Sequence, residues 1–204
     1  MLRKPPVPDR YGCQTDDGII VLDISSGKYY AVGGAAETPL NGRDFFRDHG
    51  IKTVDGLVDN AGLVALEVPP ASHSINLTHL LVLLSAILRV VIGRALFGTG
   101  ALIRATRRLK DRLARFRAAQ SDSALISAVR AFRQFRPWVY TAQDRCLFDA
   151  LILNHYLLRL GFDAAIVIGI RTRPFEAHAW IQIGTLLVDD LPEKVKTFTP
   201  IVVV

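Results

Sequence analysis

The segment CLFDALILNHYLLRLGF, residues 146–162, constrains the fold more than any other part of the sequence. Its apolar residues are too dense to lie on one face of a helix, so a helix here must be buried around most of its circumference. Gly161 is the residue type that commonly ends such a helix. The two following segments, AAIVIGIRT and HAWIQIGTLLVDD, are typical of strands joined by turns. This order predicts a buried helix packed against an antiparallel sheet.

The first seventy residues favour short β elements. GIIVLD at 18–23 and KYYAV at 28–32 flank ISSG, a composition suited to a tight turn, so we predict a hairpin. RDFFRDHG and VDGLVDNAGLVALEV indicate two weak helices, the second ending in a short strand. The Pro69–Pro70 pair and the polar ASHS after it are typical of a linker.

These patterns predict an α+β protein in three parts. An N-terminal module of β-hairpin and short helices occupies residues 1–70. A linker with apolar and basic helices follows over 71–120. A core with the Cys-bearing helix and its sheet occupies 121–204, and it opens with a predicted helix at 121–135.

The apolar region 75–103 raises the question of a membrane. Arg89 and Arg94 interrupt it, so no window reaches about eighteen uninterrupted apolar residues, and we do not expect a spanning helix. We expect a core helix followed by a basic amphipathic helix. Attachment to an anionic lipid surface is the alternative.

A basic stripe follows this apolar region, and its only acid is Asp111. Its members are Arg104, Arg107, Arg108, Lys110, Arg112, Arg115 and Arg117. Such a stripe can meet an anionic partner, whether peptide, nucleotide, nucleic acid or lipid, or it can be an ordinary solvated helix face. Both interpretations stay open.

The cysteine count and the N-terminus indicate a reduced, cytoplasmic setting. Cys13 and Cys146 are the only cysteines and lie far apart, which argues against a disulfide framework. MLRKPPVPDRYGCQTDD lacks the apolar core of a signal peptide. The phosphate-binding pattern GxxxxGK[ST] is absent as well, and we expect no cofactor.

Cys146, His178 and Asp190 suit nucleophilic catalysis. A helix start lowers the cost of a thiolate and offers N–H groups to an oxyanion, and Thr141 and Asp144 are capping residue types just before it. His178 can exchange protons with the thiol, and Asp190 can orient the imidazole. The alternatives are purely structural roles: a core cysteine, a structural histidine and an aspartate that ends a strand.

A metal site is the weaker hypothesis for the same region. Cys146, His155 and His178 could be assembled by a fold, but the sequence holds no CxxC or HxxxH pair. Zinc sites usually show such short paired spacings, so we expect no metal.

The segment from Cys146 to Asp190 resembles the transglutaminase-like cysteine peptidases of lasso peptide biosynthesis. The resemblance covers roughly residues 120–195. It rests on a Cys opening a Leu-rich helix, the LLRLGF close, the VIGI strand, the HAW motif and an Asp twelve residues after the His. The resemblance implies Cys146 as nucleophile, His178 as general base and Asp190 as orienting acid. Asp189 competes for the third role.

The first seventy residues resemble the PqqD-like precursor-recognition module, a small winged-helix fold, through TDDGIIVLDISSGKYYAV. In that family the leader of a precursor peptide adds as a strand to the sheet edge. The implied edge here consists of Lys28, Tyr29, Tyr30, Ala31 and Val32. GGAAETPLNG stands where the family has a helix, which is a departure from the pattern. A module without a peptide partner is the alternative.

The function that these resemblances imply is cleavage of a ribosomally made lasso precursor at its leader–core junction, as a step of antibiotic biosynthesis. An ATP-dependent, asparagine-synthetase-like cyclase is the implied partner, and we expect no nucleic-acid partner. Two alternatives stay open. One is another acyl-transfer enzyme on the same fold, such as a transglutaminase or amidase, and the other is a non-catalytic precursor-binding scaffold.

Overall fold

The computed structural model describes residues 9–32, 41–54, 62–69, 76–115, 120–139 and 146–204. The strands are β1 Arg10–Thr15, β2 Gly18–Asp23, β3 Lys28–Val32, β4 Val64–Ala65, β5 Ala165–Thr172, β6 Phe175–Ile183, β7 Leu186–Leu187 and β8 Thr199–Val203. The helices are α1 Gly42–Asp48, α2 Leu77–Ala114, α3 Asp122–Val139, α4 Cys146–Arg159 and α5 Pro192–Val195. The α+β class predicted from the sequence is confirmed.

The N-terminal sheet is antiparallel, in the order β1-β2-β3. The predicted hairpin is confirmed: the Asp23 carboxylate closes its turn by accepting hydrogen bonds from the backbone N–H groups of Ser25 and Ser26. The outer side of β1 exchanges backbone hydrogen bonds with Lys52. Among the described residues β3 has no strand on its outer side, so it is an edge strand.

The second sheet has the order β4-β7-β6-β5-β8. Strands β5 and β6 form its centre as a long antiparallel hairpin, with Gly169 opposite His178. Strand β8 pairs with the other side of β5. The short β4 pairs in parallel with β7, so a segment before α2 completes the sheet.

Helix α4 packs on β5 and β6 and is covered on other sides by α2 and α3. All residues from Asp149 to Leu158 are buried, as the apolar density predicts. The helix ends at Arg159, and Gly161 follows with a φ of 93°, the left-handed conformation that glycine favours. The N–H of Phe162 donates to the carbonyl of Leu157, which completes the predicted C-terminal cap.

Helix α2 has 38 residues and bends at Gly98, whose φ of 74° and ψ of 169° are not helical. The prediction of two successive helical segments therefore holds in outline. The prediction that the first is a core helix is wrong, because only one of its sides is buried and a row of leucines faces outward. By length and composition α2 could cross a membrane, and 17% of its apolar window is buried.

Part of the basic stripe is used inside the molecule. Arg107 donates one hydrogen bond to the Tyr11 hydroxyl, at 2.8 Å, and another to the carbonyl of Val203, at 2.9 Å. Arg104 lies 3.7 Å from Asp9, and Lys110 donates to the carbonyl of Val204 at 3.4 Å. These three residues join the N-terminal sheet, α2 and the end of β8, and an external anionic partner for the stripe stays a hypothesis.

Candidate active site

Cys146 is the first residue of α4 and is partly buried. A hydrogen bond from His178 is the largest cause that lowers the pKa of its thiol; burial opposes this, and the backbone N–H groups of Ala179 and Leu147 add to it. Thr141 and Asp144, the predicted capping residues, lie outside the described residues. The thiolate form of Cys146 is therefore favoured by hydrogen bonds from both α4 and β6.

His178 lies in the middle of β6 with its ring buried. Burial acts to lower the pKa of this imidazole, but hydrogen bonds with Asp190 and Cys146 outweigh it and raise the pKa to about 9. The ring of Phe198 lies against it, with centroids 5.3 Å apart. Nε2 is hydrogen-bonded to Oδ2 of Asp190, which leaves Nδ1 as the ring nitrogen for the thiol.

Asp190 follows β7 and precedes α5, and its carboxylate is held from two further directions. Its Oδ1 accepts a hydrogen bond from the backbone N–H of Leu191 at 3.0 Å, and Lys194 approaches Oδ2 at 3.4 Å. Burial acts to raise the pKa of Asp190, but the hydrogen bonds from His178 and Leu191 outweigh it and lower the pKa. The carboxylate stays ionised and accepts a hydrogen bond from the imidazole N–H.

Asp189, the competing candidate, makes different contacts. Its Oδ1 is 3.0 Å from Nε of Arg133, and its Oδ2 is 3.0 Å from Nη1 of Arg136. Burial raises the pKa of Asp189 in spite of both arginines. Both of its oxygens are occupied by these guanidinium groups, so the structure brings Asp190 rather than Asp189 to His178.

Sequence reasoning missed the ion pair between Arg136 and Asp149. Nη2 of Arg136 lies 3.0 Å from Oδ2 of Asp149, three residues after Cys146 on α4. A carboxylate in an otherwise apolar, buried helix signals a required partner, because an unpaired charge is costly there. Arg136 bridges Asp149 and Asp189, and the bridge fixes the start of α4 to the strand end that precedes Asp190.

These groups surround a cavity of about 400 Å³. Cys146, His178 and Asp190 line it. Three further acidic residues and two basic residues also line it, namely Asp149, Glu176, Asp189, Arg136 and Lys194. The cavity borders the thiol, and the charged groups along its wall are paired with one another or with neighbouring residues.

His155 does not join Cys146 and His178. Its Nε2 lies 2.8 Å from the Thr106 hydroxyl, which itself donates to the carbonyl of Leu102. Burial lowers the pKa of His155 to about 4, so this imidazole is neutral and donates to Thr106. In the described segments no group of three or more His, Cys, Asp or Glu side chains is placed to hold a metal ion.

A thiol at a helix start, an imidazole on the adjacent sheet and a carboxylate behind it are the arrangement of a cysteine-peptidase type of fold. The chain belongs to the transglutaminase-like superfamily, whose family model matches residues 84–203.

One curated relative adds a narrower similarity. Over 47 residues the chain is 38% identical to the microcin J25-processing protein McjB of Escherichia coli. This match spans 23% of this chain and 23% of McjB, so it covers less than a quarter of that protein's length. No solved structure matches the chain.

Proposed function

We propose that this protein is a cysteine peptidase that removes the leader from a ribosomally made lasso peptide precursor. The observation that carries the proposal is that His178 is hydrogen-bonded to both Cys146 and Asp190 beside a cavity. The superfamily match and the partial similarity to a microcin-processing protein support it.

In the proposed reaction the Cys146 thiolate attacks the carbonyl of the scissile peptide bond. Backbone N–H groups at the start of α4 stabilise the oxyanion that forms. The protonated Nδ1 of His178 gives its proton to the leaving amine of the core peptide, and the leader remains as a thioester on Cys146. Neutral His178 then takes a proton from water as the water oxygen attacks the thioester carbonyl, and the C–S bond breaks. The leader leaves as a carboxylic acid that loses its proton to solvent, and the thiolate–imidazolium pair is restored.

Asp190 has a positioning role in both steps. Its carboxylate accepts the Nε2–H of His178, so Nδ1 always faces the thiol. The ionised carboxylate also stabilises the imidazolium that exists before the leaving amine is protonated. Lys194 and the N–H of Leu191 hold the carboxylate in place.

We propose that the leader binds by adding a strand to β3. Its residues Lys28, Tyr29, Tyr30, Ala31 and Val32 form an edge whose outer backbone groups meet no other described strand. Such an edge offers main-chain hydrogen bonds to an extended peptide. In this scheme residues 1–70 recognise the leader, 71–120 connect, and 121–204 cut.

Tyr29 brings this edge close to the active site. Its ring packs edge-on against Phe175 at the start of β6, with centroids 5.3 Å apart. Burial, followed by the nearby charge of Cys146, raises the pKa of Tyr29 to about 12. A leader bound at β3 therefore places the residues after it near the thiol, and the effective concentration of one scissile bond rises.

The freed core amine would next be joined to a side-chain carboxylate by an asparagine-synthetase-like cyclase, which we propose as the partner in the cytoplasm.

The direct test of cleavage incubates purified protein with precursor and measures the masses of the products. Free leader is expected with the wild type and with Cys13→Ala, which removes the other cysteine. Cys146→Ala should release none; leader release by that variant contradicts the proposal. Mass gain from an added amine would instead indicate a transferase.

A further inference from the structure

The first part of α2 exposes a continuous apolar row. Its members follow the spacing of one helix face and are Leu77, Leu81, Leu84, Leu88 and Val91; we refer to them as the outer row. Between 46% and 64% of each side chain is exposed in the part of the chain that the structure describes. The row from Leu77 to Val91 is about 20 Å long. Leu96 and Phe97, exposed by 68% and 71%, lie beyond its end on other sides of the helix.

The opposite side of the same helix is buried. Leu83, Ala86 and Val90 lie in the main hydrophobic core, on the side of α2 that packs against α4. The helix is thus apolar on two opposite sides, and the described residues of this chain cover only one of them. A water-facing helix surface is normally polar, and an exposed apolar patch of this extent marks an interaction surface.

Arginines border the outer row on both sides. At about 100° per residue, Arg89 lies beyond one side of the row and Arg94 beyond the other, and both are exposed. Asp111 is the sole acidic residue between Leu77 and Ala114. Beyond the bend at Gly98, Arg108, Arg112 and Arg115 are exposed as well. An apolar row with basic borders is the pattern of helices that lie in the surface of an anionic bilayer.

We propose that the outer row of α2 inserts into the surface of an anionic lipid bilayer, with Arg89 and Arg94 at the level of the lipid phosphates. The helix lies along the membrane rather than across it, because its other side is packed on α4. Pairing of the outer row with that of a second copy is disfavoured, because the flanking arginines Arg89 and Arg94 of the two copies would lie close together and repel each other with no carboxylate between them. The membrane thus covers the apolar area and neutralises the arginines.

The test is flotation of the full chain with vesicles of phosphatidylcholine alone and of phosphatidylcholine with phosphatidylglycerol. The wild type is expected to float with the anionic vesicles, and added salt should weaken binding. Leu84→Ser with Leu88→Ser should reduce the bound fraction about tenfold or more, because two leucines no longer enter the bilayer. Arg89→Glu with Arg94→Glu should reduce binding to anionic vesicles in the same way. Leu191→Ser is the matched control, since Leu191 and Leu88 are exposed by 61% and 59%.

Circular dichroism establishes that each variant is folded, and Leu88→Trp gives an independent readout of insertion. Its fluorescence should shift to the blue with anionic vesicles and be quenched by brominated lipid. Absence of wild-type flotation, or equal flotation of the outer-row variant, overturns the proposal. A second result would also overturn it: light scattering shows a concentration-dependent dimer of the wild type but not of the outer-row variant, and neither protein binds vesicles. That result would assign the row to self-association. Leader release without vesicles is a separate measurement, so failure here leaves the proposed function standing.

Discussion

Replacing Asp190 by asparagine removes the charge behind His178 while keeping the size of the side chain. The pKa of His178 is about 9 against an ordinary 6.5 although burial lowers it, so the rise comes from its hydrogen bonds with Asp190 and Cys146 and from the charge of Asp190. If Asp190 accounts for about half of that rise, Asp190→Asn lowers the pKa of His178 by about one unit, or about 1.4 kcal/mol of imidazolium stabilisation.

The consequence is a narrower pH range of activity. The reactive form is the thiolate–imidazolium pair, so activity is lost at alkaline pH when His178 loses its proton and at acid pH when Cys146 gains one. Asp190→Asn should move the alkaline limit of kcat/KM down. The acid limit should move up, because a weaker imidazolium favours the thiolate less. At alkaline pH the loss in kcat/KM should reach about tenfold.

Two measurements check this expectation. One is leader release by mass spectrometry across pH, and the other is the alkylation rate of Cys146 by iodoacetamide, which reports the thiolate directly. Asp189→Asn is the control, because Asp189 contacts Arg133 and Arg136 instead of the imidazole. An unchanged pH range in Asp190→Asn, or a narrowed one in Asp189→Asn, would refute the assignment of Asp190 as the orienting carboxylate.

Three further predictions concern other parts of the molecule. Arg136→Ala leaves the carboxylates of Asp149 and Asp189 without their shared partner, so unfolding should become easier by about 3 kcal/mol, seen as a lower Tm, with Arg136→Lys losing less. An unchanged Tm would contradict the bridge. His155 has a pKa of about 4 when folded and an ordinary value near 6.5, so the unfolded chain binds its proton first and stability should fall as pH drops from 6.5 towards 4. His155→Gln should flatten this slope in urea titrations, and an equal slope in both proteins would speak against it. Ala31→Pro on β3 should weaken binding of a fluorescent leader peptide about tenfold or more, through lost main-chain contacts. Cys146→Ala should bind the leader normally, and undiminished binding by Ala31→Pro would exclude strand addition there.

Local sequence patterns were sufficient for the elements that carry the site. The apolar density of 146–162 required a buried helix, Gly161 ended it, and the spacing of His178 and Asp190 matched one strand and the turn after the next. Each of these features depends on neighbours close in the chain. The choice between Asp189 and Asp190 did not follow from sequence, because it is decided by Arg133 and Arg136 on α3.

Long-range packing explains what sequence did not predict. The apolar row of α2 has the composition of a core helix, and only the fold shows that the core covers its other side. Likewise the basic stripe has the composition of a docking surface, whereas Arg107 is directed inward to Tyr11 and Val203. Composition shows which apolar and charged side chains need contacts, whereas the chain topology determines which residues they contact.

The inward-directed Arg107 limits how the first seventy residues can be exchanged for those of another protein. The Arg107 guanidinium donates to a phenol of the first strand and to a main-chain carbonyl of the last, so it links the N-terminal sheet to the C-terminal core. Exchanging the first seventy residues for those of another chain would leave that cation without one partner. A chimaera should therefore take Tyr11 and Arg107 from the same parent. This means that β1 and the part of α2 around Arg107 are transferred together.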